Sequence, residues 1–395
     1  MTDERDALQF GRVGRSYTAV PAQRPTRPYA YVDPVEGLAA SAAAGRPSRA
    51  TGRRGAHVVA VCNAIETAAE TGESVDVADF GATSDPVPGP TPARGAEATG
   101  SNSLRLPPVG FGCSRYRDGE YVDRVDSIAA ALDAGYRLLD SAELYGNEHR
   151  IGDLLAAPGS PDRDSLHIVG KPWRTNHRRD HMLAACRGSL AELGIDAFDC
   201  YALHWPGAWA HRGPLERLAD KPVARQEALT FPETGDGERA TADVSLSRAW
   251  ANLEAVHERG LARTLGLCNV SLTQLETVLA TGTVAPALVQ VERHPYQPRE
   301  ALVEFCHDRG IRVVAHSPLS APGLLEEPVL ADIGDSYGLS PAGVVVAWNA
   351  TRGVVPIPSS TTPAHVVANL AAAGERLSGA DCARVDRLRD PDFER

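Results

Sequence analysis

Short apolar segments alternate with longer amphipathic ones along most of the chain, from residue 104 onward. The eight apolar segments have the length and composition of buried strands, and they read PPVGFG, YRLLD, SLHIVG, AFDCYALHW, ARTLGLC, PALVQVE, IRVVAHS and GVVPIP. The amphipathic segments predict helices, among them residues 122–134, 181–193, 249–259, 272–280 and 299–309. This alternation is typical of an α/β domain.

Glycines mark the junctions between the predicted helices and the strands that follow them. Gly135, Gly194, Gly260 and Gly310 each come just after a predicted helix, where a left-handed residue commonly ends a helix. Eight strands with eight crossovers over residues 104–395 match a (β/α)₈ TIM barrel in number and length. A doubly wound sheet is the alternative, but it normally needs fewer strands. In a barrel, functional residues belong at the carboxyl ends of the strands.

The first quarter of the chain has a different character. Residues 79–103 are rich in Pro, Gly, Ala, Ser and Thr, which is a linker composition. Residues 55–77, GAHVVAVCNAIETAAETGESVDV, predict a helix and a strand, and the stretch resembles the end of the C-terminal domain in Gfo/Idh/MocA sugar oxidoreductases. No GxGxxG turn precedes it. Residues 1–78 are therefore interpreted as an N-terminal extension, a fusion remnant that could dock on a partner oxidoreductase.

Composition excludes several classes of function. The net charge of −11 disfavours nucleic acid as a partner, because phosphate binding needs a basic surface. No apolar run approaches the roughly 18 residues of a membrane helix, and the N-terminus lacks a signal-peptide core, so a cytoplasmic protein without membrane contact is expected. The seven cysteines are widely separated and have no metal-ligand spacing, which predicts reduced thiols and no metal site.

Four polar side chains follow the ends of three neighbouring predicted strands. Asp140 ends YRLLD, Lys171 follows SLHIVG, His204 lies at the end of AFDCYALHW, and Tyr145 is in the loop after Asp140. A tyrosine with a pKa of about 10 can donate a proton, and an adjacent ammonium stabilises the phenolate that remains. A carboxylate would hold the lysine, and a histidine could orient a substrate carbonyl. The combination predicts reduction of a carbonyl group.

Each of these residues also has an ordinary structural interpretation. An aspartate at a strand end is commonly a turn residue or a helix cap, a loop tyrosine can simply pack, and a histidine can be structural. Lys171 is harder to dismiss, because it is one of only two lysines in the chain. The four together at successive strand ends favour the catalytic interpretation.

Longer motifs make residues 104–390 similar to the aldo-keto reductase family. GYRLLDSAELYGNE resembles the family's GyrhiDTAxxYgNE, GKPW its tKxW, and YALHWP its yLiHWP. GLCNVS, VQVERHPYQP, AHSPL and VPIPSSTTPAHVVANL resemble further family motifs in the same order. The resemblance implies a TIM barrel that uses NADPH or NADH to reduce an aldehyde or ketone. Its catalytic residues would be Tyr145 as general acid, Lys171 and Asp140 lowering its pKa, and His204 orienting the carbonyl.

The same resemblance implies a cofactor site. Asn269 and Gln290 would hold the nicotinamide carboxamide, and the backbone of Ser317, Pro318 and Leu319 would carry the pyrophosphate. His316 stands where a tyrosine usually stacks on the nicotinamide ring, and Cys268 stands where a serine is usual. Further cofactor contacts would come from the segment after the eighth strand: Ser359, Ser360, Thr361, His365 and Asn369.

Departures from the family pattern bear on the choice of cofactor. Ser359 and His365 replace a lysine and an arginine that clamp the 2′-phosphate of NADPH in the family. Their loss suggests that NADH is used at least as well, although Arg352 or another arginine could compensate.

The substrate is the least defined part. Residues 207–247 form a long polar segment after the His204 strand, and such segments are usually functional or disordered. Trp173, Trp205 and Trp209 could wall a pocket for a small carbonyl substrate, with ordinary packing as the alternative for each. Two other hypotheses are a cofactor-binding regulatory subunit with weak catalysis and a weakly active fusion that docks on another oxidoreductase. The complete set of four catalytic residues argues against a pure binding protein.

Overall fold

The computed structural model describes residues 104–117, 120–121 and 124–393, together with two short strands near the N-terminus. Those strands, Gln9–Phe10 and Thr18–Ala19, pair antiparallel. The chain divides into two compact units, Met1–Glu97 and Ala98–Arg395. The predicted extension over residues 1–78 and the linker over residues 79–103 lie outside the described residues, except for the two short strands.

Eight parallel strands form one sheet in which the spatial order follows the chain order. They are β1 Phe111–Gly112, β2 Leu138–Asp140, β3 His167–Gly170, β4 Phe198–Leu203, β5 Ala262–Cys268, β6 Leu288–Glu292, β7 Arg312–His316 and β8 Val355–Pro356. The Gly110 amide donates to the Pro356 carbonyl at 3.0 Å and the Gly112 amide to the Pro358 carbonyl at 3.3 Å. These two bonds join the last strand to the first, which confirms the predicted (β/α)₈ barrel.

Helices connect successive strands and surround the barrel. They are α1 Val125–Ala134, α2 Glu148–Ala156, α3 Arg179–Leu193, α4 Val223–Thr230, α5 Leu246–Glu258, α6 Leu272–Thr281, α7 Glu300–His307, α8 Pro328–Tyr337, α9 Pro341–Thr351, α10 Pro363–Ala372 and α11 Gly379–Asp386. A short antiparallel pair, Tyr116–Arg117 with Glu120–Tyr121, precedes α1. Within the described parts of the chain, no helix is both long enough and apolar enough to cross a bilayer.

Local sequence accounts for the ends of these helices. Ser271 caps α6 by accepting from the Gln274 amide while the Gln274 side chain accepts from the Ser271 amide, which is a complete capping box. At the other end of α1, Gly135 has a φ of 110°, and the three other predicted junction glycines are also left-handed. The predicted junctions between helices and strands are therefore confirmed.

The interior of the barrel is filled by apolar side chains from most of its strands. This group consists of Leu104, Leu138, Val169, Cys200, Ala287, Leu288, Val314, Val355 and Ile357. A larger apolar layer lies between the strands and the helices around them. The interior is thus a packed core, and the open space for chemistry lies at the carboxyl ends of the strands, as in other barrels of this architecture.

The structure differs from the predicted elements in two places. The first and last strands have two residues each and are shorter than the segments PPVGFG and GVVPIP, in which prolines cannot donate a backbone hydrogen bond. The long segment over residues 207–247 is folded. It contains α4 and a 3₁₀ turn, Leu218–Asp220, and it buries Leu215, Leu218 and Leu229 against Trp173.

Candidate active site

A buried ion pair lies at the ends of β2 and β3. Lys171 Nζ is 2.6 Å from Asp140 Oδ2 and donates to the Ser141 carbonyl at 2.9 Å. Lys171 is 0% exposed and Asp140 is 3% exposed. Burial alone would lower the pKa of Lys171, but Asp140 and then Tyr145 oppose this, and the net pKa is raised. Lys171 is therefore a charged ammonium at physiological pH.

The second oxygen of Asp140 is also bonded. Gln290 Nε2 donates to Asp140 Oδ1 at 2.6 Å, from the middle of β6 on the far side of the barrel. Both carboxylate oxygens thus have a donor, and Asp140 lies between Lys171 and Gln290. The family resemblance implies a nicotinamide contact for Gln290, whereas in this structure its amide donates to the carboxylate of the ion pair.

Tyr145 ends a 3₁₀ turn, Glu143–Tyr145, directly after β2. Gly146 closes the turn with a φ of 68°, and Arg115 Nε donates to the Tyr145 carbonyl. Lys171 Nζ is 5.4 Å from the centre of the phenol ring. Burial raises the pKa of Tyr145, the positive charge of Lys171 partly opposes the rise, and the negative charge of Asp140 adds to it. The net pKa is therefore raised, whereas the resemblance implies that Lys171 and Asp140 together lower it. The phenol is therefore protonated at neutral pH and positioned as a proton donor.

His204 follows β4 and faces the same space. Its ring centre is 5.8 Å from that of Tyr145 and 5.1 Å from that of Trp173, both edge-on. Burial lowers the pKa of His204 well below its usual value, and Lys171 lowers it further. Its Nδ1 atom has no hydrogen-bond partner within the described residues. The imidazole is thus neutral, with capacity left for a ligand.

Hydrogen bonds link the ends of β5 and β7 next to His204. Asn269, with a φ of 57°, donates through Nδ2 to the His204 carbonyl at 2.9 Å. Its Oδ1 atom lies 2.8 Å from His316 Nε2, and His316 Nδ1 lies 3.1 Å from Ser317 Oγ. Ser317 also has a left-handed φ, of 50°. Two residues predicted to contact the nicotinamide, Asn269 and His316, are therefore held against each other.

The other predicted cofactor residues follow β7 or lie around the start of α10 and within it. Pro318 is buried, and Leu319 packs partly into the apolar layers. Ser360 Oγ accepts from the Thr362 amide at 3.1 Å and lies 3.4 Å from His365 Nδ1, at the start of α10. Three of the remaining residues, Ser359, Thr361 and His365, are exposed, whereas Asn369 and Cys268 are buried. The exposed residues surround a helix N-terminus, which favours anionic groups.

The three tryptophans differ in their surroundings. Trp173 is buried beside His204, its Nε1 donates to the Thr230 carbonyl at 2.6 Å, and its ring is 5.5 Å from that of Trp209. Trp205 is 40% exposed. Trp173 therefore contacts the His204 ring directly, Trp209 contacts Trp173 on another side, and Trp205 is exposed directly after His204 in the chain.

Several polar contacts around the site were absent from the sequence-based prediction. Glu143 accepts from the Trp173 amide and from Asn176 Nδ2 at 2.8 Å, and burial raises its pKa to about 8. Asn147 Nδ2 donates to the Cys113 carbonyl at 3.1 Å. The sequence feature that could have pointed to Glu143 and Asn147 is their position near Tyr145, within the segment DSAELYGNE.

Comparison with known proteins agrees with this geometry. The model of the aldo/keto reductase family matches residues 108–390. The chain belongs to the aldo/keto reductase family. Aldo-keto reductase family 1 member A1 of Gallus gallus is 33% identical over 301 residues, which cover 73% of this chain and 86% of that protein. The Homo sapiens protein of the same name is 34% identical over 280 residues, covering 67% of this chain and 81% of that protein.

Two solved structures are similar to this chain in fold. Aldose reductase from Schistosoma japonicum superposes with a TM-score of 0.63 at 28% identity, covering 73% of this chain and 90% of that one. Aldose reductase from Giardia lamblia gives 0.65 at 28% identity, covering 74% and 95%. Membership in the family supports an oxidoreductase enzyme. The predicted resemblance to aldo-keto reductases is thus confirmed.

Proposed function

We propose that this aldo/keto reductase reduces an aldehyde or ketone to an alcohol with NADPH or NADH, in the cytoplasm. The observation that carries the proposal is the buried Lys171–Asp140 pair next to the Tyr145 phenol. A buried charge pair costs solvation free energy, so replacement by apolar residues is often neutral or stabilising for the fold. A charge pair beside a proton donor at the mouth of a barrel is therefore better explained by chemistry.

Tyr145 is proposed as the general acid. Its phenol is protonated at neutral pH and can give its proton to the oxygen of the reduced carbonyl. Lys171 stabilises the phenolate that is left, and Asp140 keeps the ammonium in place. A bound nicotinamide cofactor supplies the hydride in this chemistry. The protein contributes the proton and the position of the substrate.

His204 is proposed to orient the carbonyl. Because its imidazole is neutral, one ring nitrogen carries a hydrogen that can be donated to the substrate oxygen. Its edge-on contact with Trp173 fixes the plane of the ring. An imidazolium would compete with Tyr145 as proton donor, and the lowered pKa of His204 prevents that competition at neutral pH.

Gln290 on β6 and the residues that follow β5, β7 and β8 fit a nicotinamide cofactor. Two primary amides, Asn269 and Gln290, match a carboxamide in hydrogen-bonding groups, and His316 offers a flat ring. Both amides are now bonded within the protein, so holding a carboxamide would require them to exchange partners. The N-terminus of α10 with Ser359 and His365 suits a phosphate or a ribose hydroxyl group.

We propose that NADH binds at least as well as NADPH at pH 7.5. Ser359 offers one neutral hydroxyl and His365 an exposed imidazole, where the family pattern has two permanent cations. Losing two charge-assisted contacts of roughly 1.5–3 kcal/mol each weakens NADPH by about two or more orders of magnitude. Titration of both cofactors by tryptophan fluorescence tests this, with Ser359→Lys expected to shift the preference toward NADPH. A hundredfold preference of the unaltered protein for NADPH would contradict it.

The reaction itself is tested with a panel of aldehydes and ketones. Consumption of NADH and of NADPH is followed by absorbance, with Asp140→Asn as a variant of nearly the same shape that removes the charge of Asp140 and one of its two acceptor oxygens. We expect turnover of at least one class of carbonyl compound, and a large loss in the variant. Absence of cofactor oxidation with every compound would overturn the proposal.

A further inference from the structure

Two arginines stack on one tryptophan at the rim of the candidate active site. Arg174 Cζ is 3.8 Å from the centre of the Trp209 ring, and Arg239 Cζ is 5.1 Å from it. Arg174 belongs to the turn after β3, and Arg239 to the long segment after β4. Two parts of the chain that are 65 positions apart thus bring guanidinium groups to the same ring.

The position of Arg174 is fixed by several contacts. Its Nε atom donates to the Gly207 carbonyl at 2.9 Å, and its carbonyl accepts from the Trp209 amide at 2.9 Å. A side chain at Gly207 would place its Cβ 2.8 Å from Arg174 Nη2, so the glycine leaves the space that the guanidinium occupies. Trp205, the exposed tryptophan directly after His204, lies 5.9 Å from Arg174 Cζ. Stacking and bonding of this kind hold a guanidinium in one orientation.

The positive charge of Arg174 is not neutralised. Within the described residues no carboxylate forms an ion pair with Arg174, and Arg239 has only the exposed Glu233 at 3.8 Å. Burial, and then the nearby charge of Arg239, lower the pKa of Arg174, which is the effect expected of two close cations without an anion. Both groups are partly exposed and so can still be reached from solvent.

The two guanidinium groups lie near the reacting centre. Trp173 contacts both the His204 ring, at 5.1 Å, and the Trp209 ring, at 5.5 Å. The protein as a whole carries a net charge of −11 and so repels anions at long range. At physiological ionic strength that repulsion is screened within about 8 Å, and the local cations dominate at the rim.

We propose that Arg174, assisted by Arg239, binds an anionic group on the carbonyl substrate while the carbonyl lies at Tyr145 and His204. The anionic group is a carboxylate or a phosphate, since a guanidinium fork matches both. This inference rests on the proposed carbonyl reduction and specifies its substrate class. Arg174 is thus a specificity residue, and its role is in substrate binding.

The test compares charged and neutral members of matched substrate pairs. One pair is 4-formylbenzoate with benzaldehyde, and the other is glyceraldehyde 3-phosphate with glyceraldehyde. In Arg174→Gln, KM for at least one anionic member should rise about 10- to 100-fold while kcat/KM for the neutral member stays within about threefold. The pair that responds identifies the anion. Arg225→Gln, an exposed arginine on α4, is the control and should change neither.

A purely structural role for Arg174 gives a different result. If Arg174→Gln weakens the anionic and neutral members equally, or changes neither of them, the anion site is wrong and carbonyl reduction stands. Should this variant not fold, Arg239→Gln at the more exposed position must show the same selective rise in KM, to a smaller extent, or the proposal fails.

Failure of the anion site is separable from failure of the reaction. If the unaltered protein reduces no carbonyl compound, the proposed function is overturned, and a binding experiment decides the anion site by itself. Terephthalate and phenyl phosphate are titrated against tryptophan fluorescence, since Trp205 and Trp209 adjoin Arg174. Saturable quenching that is lost in Arg174→Gln supports the site, and no quenching by either anion overturns it.

Discussion

At the scale of single residues, the protonation states of Tyr145 and His204 determine the expected dependence on pH. The pKa of Tyr145 is raised, so the phenol keeps its proton through the neutral range, and the pKa of His204 is lowered, so its imidazole stays neutral over the same range. Reduction needs the protonated phenol, whereas oxidation of the alcohol needs the phenolate.

We therefore expect kcat for reduction to change less than about threefold between pH 6 and 8. Oxidation of the alcohol product should rise by up to about tenfold per pH unit, because the phenolate fraction rises tenfold per unit below the pKa. Steady-state rates in both directions, measured in buffers of constant ionic strength, check this. A reduction rate that falls with an apparent pKa near 7 would assign the proton to another group.

Single residues also show which parts of the candidate site could be predicted from the sequence. Asp140, Lys171 and His204 could be grouped from sequence because each lies at the end of a recognisable strand, and strand ends meet at one face of a barrel. The bond between Gln290 and Asp140 could not be predicted, since it joins residues 150 positions apart. It depends on how the closed barrel directs two side chains toward its centre.

At the scale of elements, the 3₁₀ turn that holds Tyr145 depends on Gly146. A Cβ at Gly146 would lie 2.6 Å from Leu218 Cβ and 2.7 Å from the Ala219 nitrogen. Its left-handed φ of 68° adds strain for any other residue. The turn therefore packs closely against the 3₁₀ helix Leu218–Asp220 of the long segment.

We expect Gly146→Ala to lower the free energy of unfolding by about 2–4 kcal/mol and to reduce turnover by displacing Tyr145. Gly159→Ala is the matched control, because Gly159 also has a left-handed φ, of 90°, but has no atom within 4 Å of the added Cβ. Gly159→Ala should lower the free energy of unfolding by only about 1 kcal/mol and leave turnover unchanged. Urea unfolding and initial rates measure both. Equal effects of the two variants would mean that contact with Leu218 is unimportant.

Elements were predicted well where the apolar pattern was long and less well where it was short. Helices α3, α5 and α6 extend over more than two turns and coincide closely with the predicted ranges. The eight-residue helix α4 carries only a few buried residues, and its periodicity was too brief to separate it from a polar loop. Its structure comes from packing of the long segment beside Trp173.

At the scale of the whole molecule, the barrel and the proposed catalytic residues belong to one unit. The compact unit Ala98–Arg395 contains all eight barrel strands, and the family match begins at residue 108. A domain that closes its own sheet and fills its own core is expected to fold independently.

We expect a chain that lacks residues 1–100 to retain kcat/KM within about twofold. The full chain, purified in the same way, is the control, and thermal unfolding is measured for both. A truncated protein that is expressed but aggregates or has lost its activity would show that the N-terminal residues are part of the working structure.

Tyr145→Phe tests the central claim most directly, because it removes one oxygen and leaves the ring in place. If Tyr145 is the general acid, turnover of carbonyl substrates falls by about 10²–10⁴-fold or more, while the Kd for NADH and NADPH changes little. Single-turnover reduction and cofactor titration on the same preparation give the two values. Retention of most of the reductase activity would exclude Tyr145 as the proton donor and contradict the proposed mechanism.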